Sequence, residues 1–103
     1  STEGTMGRFE QSLLAPGDVV SGGQVMRSVV GPRVEIHDAS EVDECVIMGG
    51  CKIGKQVKLR RCVIEEQTVL PDGIEIGFDA EHDRERFTVT ENGVVVIPTR
   101  TPL

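Results

Sequence analysis

Two histidines, three cysteines and a run of basic residues are the side chains here whose type and spacing most suggest chemistry. An imidazole titrates near neutral pH and can act as a general base, and His37 is the natural candidate for that role. His82 sits in the charged run Glu81 to Arg86, a poorer setting for catalysis. Cys45, Cys51 and Cys62 show no CxxC spacing, so they predict no zinc-type ligand set. Lys52, Lys55, Lys58, Arg60 and Arg61 could hold an anion, or could simply neutralise acids beside them. The formal net charge of −6 argues against nucleic acid and anionic membranes as partners, since both demand an excess of Lys and Arg. No apolar run approaches the ~20 residues that a membrane span requires, and no signal peptide is evident.

The elements that position these groups follow from a 17-residue repeat running from Val19 to Ile76. Val19, Ile36, Ile53 and Leu70 form one aliphatic column; Val25, Val42, Leu59 and Ile76 form a second; Val30, Ile47 and Ile64 form a third. Two positions before each stands a smaller or variable residue, as in Val34, Cys51 and Thr68, or Ser28, Cys45 and Cys62. Side chains alternate along a strand, so each triplet reads inward, outward, inward. Three such triplets per period, separated by short turns, are what a three-sided parallel β-helix requires. With three Phe and no Trp or Tyr, an aromatic-rich globular core is not expected. A solenoid instead buries aliphatics rung upon rung. All three cysteines fall in inward columns and read as buried thiols, reduced in a cytoplasmic protein. Only Cys45 and Cys62 stack closely enough to pair.

The register brings residues 17 apart together on the surface. Glu35 then meets Lys52, Asp38 meets Lys55, Glu41 meets Lys58, Asp43 meets Arg60, and Glu44 meets Arg61, every pair of opposite sign. Such contacts fix register more than they add stability. One outward column differs: Val29, Val46 and Val63 put an apolar stripe where water is expected. That stripe is predicted to be an interface with another subunit or domain.

Ser1 to Gln11 reads as a polar lead, residues 12–78 as the coil, residues 79–98 as a cap and residues 99–103 as a tail. Leu13 aligns with Val30, so the coil is expected to open near Ser12. In the cap, Asp79 is a good N-cap for a helix over Ala80 to Arg86, with acids early and arginines late. Phe87 to Thr90, the Asn92–Gly93 turn and Val94 to Ile97 then read as a hairpin. The first residue is Ser, consistent with a cut from a longer parent. A genuine start at Met6 would instead leave a free-standing β-helix.

The run from Ile76 to Asp79, then Asp83 to Phe87, Thr90 to Gly93 and Val94 to Ile97, resembles the C-terminal end of bacterial ADP-glucose pyrophosphorylase, or glucose-1-phosphate adenylyltransferase. Ser21 to Gly23, Arg33 to His37 and Leu59 to Ile64 fit that family's hexapeptide-type coils. The resemblance implies an all-β fold, a left-handed parallel β-helix with a short helix and hairpin cap. It also implies a role in oligomer assembly and allosteric regulation, beside a nucleotidyltransferase domain that uses Mg²⁺ to make ADP-glucose for glycogen. That catalytic domain has no counterpart here: there is no Gly-rich phosphate loop and no Mg²⁺ carboxylate pair. The chain alone is therefore expected to lack adenylyltransferase activity and to need no cofactor. By the same resemblance, effector phosphates would be met by Arg100, with Arg84 and Arg86 behind it.

The alternative is a stand-alone hexapeptide acyltransferase with His37 as base at a subunit boundary. Against it, no extended loop interrupts the repeat to wrap an acyl carrier, and within the resemblance His37 belongs to the coil and does no chemistry.

Overall fold

The computed structural model describes residues 8–99. In chain order the strands are β1 (Arg8–Glu10), β2 (Val19–Val20), β3 (Gln24–Met26), β4 (Val29–Val30), β5 (Glu35–Ile36), β6 (Glu41–Asp43) and β7 (Val46–Ile47). They continue as β8 (Lys52–Ile53), β9 (Lys58–Arg60), β10 (Cys62–Ile64), β11 (Val69–Leu70) and β12 (Glu75–Ile76), then helix α1 (Ala80–Arg86), β13 (Thr88–Val89) and β14 (Val95–Ile97). The strands stack into three sheets, β1-β3-β6-β9-β12, β2-β5-β8-β11 and β4-β7-β10-β14, with β13 at the outer edge of the third. Within each stack the pairing is parallel and in register, as the repeat predicts.

Inside lie the three aliphatic columns. Val25, Val42, Leu59 and Ile76 are at most 1% exposed, and Ile36, Ile53 and Leu70 likewise. The three cysteines are buried and free, as expected from their columns. In-register rungs sit about 4.8 Å apart, wider than the roughly 3.8 Å that a disulfide wants between β-carbons. The buried hydroxyls are also satisfied. Ser28 Oγ donates to Met26 O at 2.7 Å and accepts from Cys45 N–H at 3.0 Å; Ser40 Oγ bridges Gly54 O and Val57 N–H in the same way.

Each corner turns on a residue in the left-handed backbone region. The columns are Gly17, Arg33, Gly50 and Gln67; Gly22, Ala39, Gln56 and Gly73; and Gln11, Arg27, Glu44 and Arg61, with φ from 47° to 83°. A side chain there costs roughly 1–2 kcal/mol, which glycine avoids. Ala39, exposed with φ 61°, should therefore tolerate glycine with a gain. After the extra unfolded-state entropy of glycine, Ala39→Gly is expected to stabilise by about 0.5 kcal/mol, a rise in Tm of about 2–4 °C by calorimetry.

The first turn departs from the 17-residue spacing. Val19 pairs with Glu35 and Val20 with Ile36, so the inward member of that column is Val20, and Val19 is 51% exposed. Leu13 bridges to Val29, not Val30, and points outward at 70% exposure. The corner between β2 and β3 is one residue shorter than its successors, which shifts everything before it. His37 accordingly stacks with Ser21 and Gly54: its N–H bonds Ile53 O as Ser21 N–H bonds Ile36 O. The coil also begins before Ser12, because β1 pairs in parallel with β3, Phe9 opposite Val25.

The C-terminal hairpin is more than a lid. β14 stacks in parallel on β10, Cys62 opposite Val95 and Ile64 opposite Ile97, so it forms the next rung of the coil. Helix α1 and β13 are an insertion within that rung. Asp79 caps the helix, its Oδ1 accepting from His82 N–H at 3.2 Å, and the basic residues Arg84 and Arg86 fall in the last turn as predicted. Asp83, 2% exposed, turns back to the coil and accepts from Gly77 N–H at 3.0 Å.

The charge ladder holds in backbone register but not in side-chain contact. Glu35 faces Lys52, Glu41 faces Lys58 and Asp43 faces Arg60 across the rungs. Among the described residues, however, none of the expected pairs closes to ion-pair distance. Asp43 instead binds Arg27, one rung back, and His37 Nε2 meets Glu35 Oε1 at 3.4 Å. Asp72 accepts from the backbone N–H of Lys55, not from its ammonium group. Long lysines on an exposed face gain too little from pairing to offset the rotamer entropy they would lose.

Candidate assembly interface

Strands β4, β7, β10 and β14 set Val29, Val46, Val63 and Val96 in direct register on the outward side of one sheet. Leu13, bridged to Val29, extends the row into the first turn. Five rungs at about 4.8 Å make an apolar stripe about 19 Å long. Val29 and Val46 are 47% and 40% exposed, while Val63 and Val96 are half-buried. The difference arises at the β14 end, where β13 pairs antiparallel with Thr88 opposite Val96. The other two sheets carry charge in their outward columns: Val19, Glu35, Lys52 and Val69 on one, Gln24, Glu41, Lys58 and Glu75 on the other.

Beside the stripe, at the corner after β7, lies a shallow groove of about 380 Å³ walled by Val29, Val46, Met48 and Pro32. Its floor is low because the stacked corners admit no side chain: a β-carbon on Gly31 would lie 2.8 Å from Gly49 N. Met48, 40% exposed, offers a flexible thioether that can adapt to a partner's shape. Glu66 and Gln67 close the far end. Sequence columns alone found the three valines. Leu13 was hidden by the short first corner, Val96 by the insertion before β14, and Met48 by lying outside any column.

The candidate effector residues are dispersed. Arg86 is tied into the cap: its Nη2 donates to Glu75 O at 3.2 Å and lies 3.5 Å from Asp83 Oδ1, with its guanidinium 5.0 Å from the Phe87 ring centroid. Arg84 is exposed and lines a second groove, with Arg60 and Arg61, between the coil and the helix. Arg100 lies outside the described residues. The five basic residues considered as one anion patch do not form one. Lys52 is on the β8 sheet, Lys58 and Arg60 are on the β9 sheet, and Lys55 and Arg61 stand at different corners.

His37, half-exposed and beside Glu35, lines neither groove. Among the described residues no three or more His, Cys, Asp or Glu side chains gather where they could hold a metal ion. The thiols are no better placed for chemistry. The hydrogen bond with Cys45, reinforced by burial, pushes the Cys62 thiol well above the ordinary range, and burial raises Cys51. The same hydrogen bond lowers Cys45, whose protection rests on burial at 2% exposure; all three thiols should therefore resist iodoacetamide at pH 8 in the folded chain and react once urea unfolds it. Rapid native alkylation, read by mass, would contradict the packing. Because the folded pKa values of Cys51 and Cys62 are raised, their contribution to stability is full below the unfolded thiol value of about 8.5 and declines as pH rises above it.

Stacked parallel triplets, corner residues at positive φ and small inward residues define the class: a hexapeptide-type parallel β-helix, left-handed by the family match that follows. The chain belongs to the GlmU-like C-terminal hexapeptide family, which it matches over residues 1–97. Among curated proteins it is similar to the glucose-1-phosphate adenylyltransferase of Deinococcus radiodurans, 43% identical over 94% of this chain and 24% of the relative. It is also similar to those of an Anaeromyxobacter species, 39% identical over 94% and 24%, and of Pasteurella multocida, 42% identical over 85% and 20%. The chain thus spans about a quarter of the length of the relatives it matches. Among the described residues no helix is long and apolar enough to cross a membrane.

Proposed function

We propose that this chain is the C-terminal assembly and regulatory domain of a cytoplasmic glucose-1-phosphate adenylyltransferase. The chemistry, formation of ADP-glucose for glycogen with Mg²⁺, belongs to a separate nucleotidyltransferase domain of the parent. The observation that carries this reading is the alignment itself, which takes in nearly all of this chain and only a quarter of each relative. The stripe of Leu13, Val29, Val46, Val63 and Val96 supplies the physical means, since apolar surface of this extent gains by leaving water. Its partner is a second copy of the chain or the parent's nucleotidyltransferase domain. Effector phosphates would reach the domain near the tail, through Arg84 and Arg100.

Sedimentation equilibrium tests the assembly role. A particle of two or more 11.2 kDa chains at micromolar concentration is expected. A monomer at every concentration, with no association when the nucleotidyltransferase domain of a relative is added, would overturn it.

A further inference from the structure

We infer that Asn92 is a site of spontaneous covalent modification, deamidating through attack by the backbone nitrogen of Gly93. It is the single asparagine of the chain, and with Gly93 it forms the tip of the hairpin between β13 and β14. In the first step the Gly93 nitrogen loses its proton to solvent base and bonds to Asn92 Cγ. The Cγ–Nδ2 bond breaks, Nδ2 takes up a proton and leaves as ammonia, and a five-membered succinimide closes. Water then opens the ring. Cleavage at Cγ gives aspartate and cleavage at the main-chain carbonyl gives isoaspartate, so the sequence of steps consumes only water. Glycine suits the attack because it brings no β-carbon to crowd the ring. The space around it is open: a β-carbon built on Gly93 would meet nothing closer than Arg61 Nη1 at 3.7 Å.

The fold decides where this chemistry proceeds. Thr90, Glu91, Asn92 and Gly93 are all exposed. Gly93 N–H donates to Thr90 O at 2.9 Å, and Val94 N–H to Thr90 Oγ1 at 3.1 Å. These restraints lie within the turn, so they break when the tip opens, without unfolding any rung. Asp72 and Gly73 could form the same succinimide and provide the contrast. There Gly73 N–H donates to Lys55 O at 2.8 Å, and Asp72 Oδ1 accepts from Lys55 N–H at 2.8 Å, so the neighbouring rung holds both reacting groups. The tip is tied to the coil by Arg61, whose Nη2 donates to Asn92 O at 2.5 Å. Arg61 is thus a clasp that slows the opening. Deamidation makes the chain one unit more negative than its formal −6, and sets a carboxylate beside Arg61 or an extra main-chain carbon in the turn that leads to β14.

Incubating the full, folded chain at pH 8 for days, with intact mass and peptide mapping, is the test. Conversion of the amide to a carboxylate at Asn92 is expected, part of it as isoaspartate, with none of the latter at Asp72. Arg61→Ala should speed the reaction about fivefold, the gain in opened population when one hydrogen bond is lost. Asn92→Gln should stop it, because the longer side chain must close a six-membered ring, which forms far more slowly. A folded chain that stays unmodified while a urea-unfolded sample deamidates would overturn the proposal. So would isoaspartate forming at Asp72 as fast as at Asn92. The measurement on the unsubstituted chain decides the matter even where a variant fails to fold.

Discussion

Val46→Lys is expected to convert the assembled chain into a monomer while leaving the coil intact. Val46 is the middle of the stripe, in register with Val29 on one side and Val63 on the other. An ammonium group placed in an apolar seam must either be desolvated, at a cost of several kcal/mol, or be drawn to the rim at the expense of packing. In a two-fold interface the same residue appears on both partners, so the penalty is counted twice. A rise of at least about 100-fold in the dissociation constant follows, at about 1.4 kcal/mol per decade. The fold should not notice. Lysine already occupies outward strand positions at Lys52 and Lys58, in the same coil geometry. Tm should change by no more than about 3 °C. Loss of assembly together with a collapsed Tm would mean that Val46 supports the coil itself.

The second large effect is expected at the junction of coil and cap. Gly77 has φ 96°, and a β-carbon there would lie 1.9 Å from Arg60 O and 3.2 Å from Arg60 Cα. Backbone cannot yield as a flexible side chain can, so Gly77→Ala must displace the segment that enters α1. That movement takes Gly77 N–H away from buried Asp83, a charge-assisted bond whose loss costs about 1.5–3 kcal/mol. With left-handed strain of about 1–2 kcal/mol added, the total is about 3 kcal/mol or more, a fall in Tm of 10 °C or more by calorimetry. Gly73→Ala is the contrast. Its φ is 78°, but nothing lies within 4 Å of the added carbon, so only the conformational cost of about 1 kcal/mol applies. Equal effects from the two substitutions would show that the close approach to Arg60 is relieved without cost.

From Gln24 to Ile76 the architecture could be read directly from the repeat, because the buried aliphatics recur at a constant 17-residue spacing, each with an inward partner two positions before it. Where the chain offers two aliphatics in a row, that signal loses its phase. Val19 and Val20 are both valine, so a corner one residue short leaves the hydrophobic pattern unchanged while moving Val19 to the surface and Leu13 onto the outward row. The cap was visible as helix, turn and strand from its capping and turn residues. That β14 is a further rung was not, because Val95 pairs with Cys62 33 positions earlier, across an inserted helix. The charge ladder was right in register and wrong in contact: the repeat sets Asp43 against Arg60 and Arg27 against Glu44, and only geometry shows that Asp43 takes Arg27. That choice leaves Arg60 without an acid, which makes the second groove basic. The valine stripe was legible for the opposite reason, since outward valines run unbroken down one sheet, whereas Glu35 and Lys52 separate Val19 from Val69 on another.

Intermolecular contacts at the stripe test the central claim most directly. In a sample mixing isotope-labelled with unlabelled chain, isotope-filtered NOE spectra should show the methyl groups of Val29, Val46 and Val63 in contact with protons of a partner molecule. Met48, at the adjoining groove, should share those contacts. Intermolecular contacts confined to another sheet of the coil, or none at a concentration where the chain sediments as an assembly, would contradict the account.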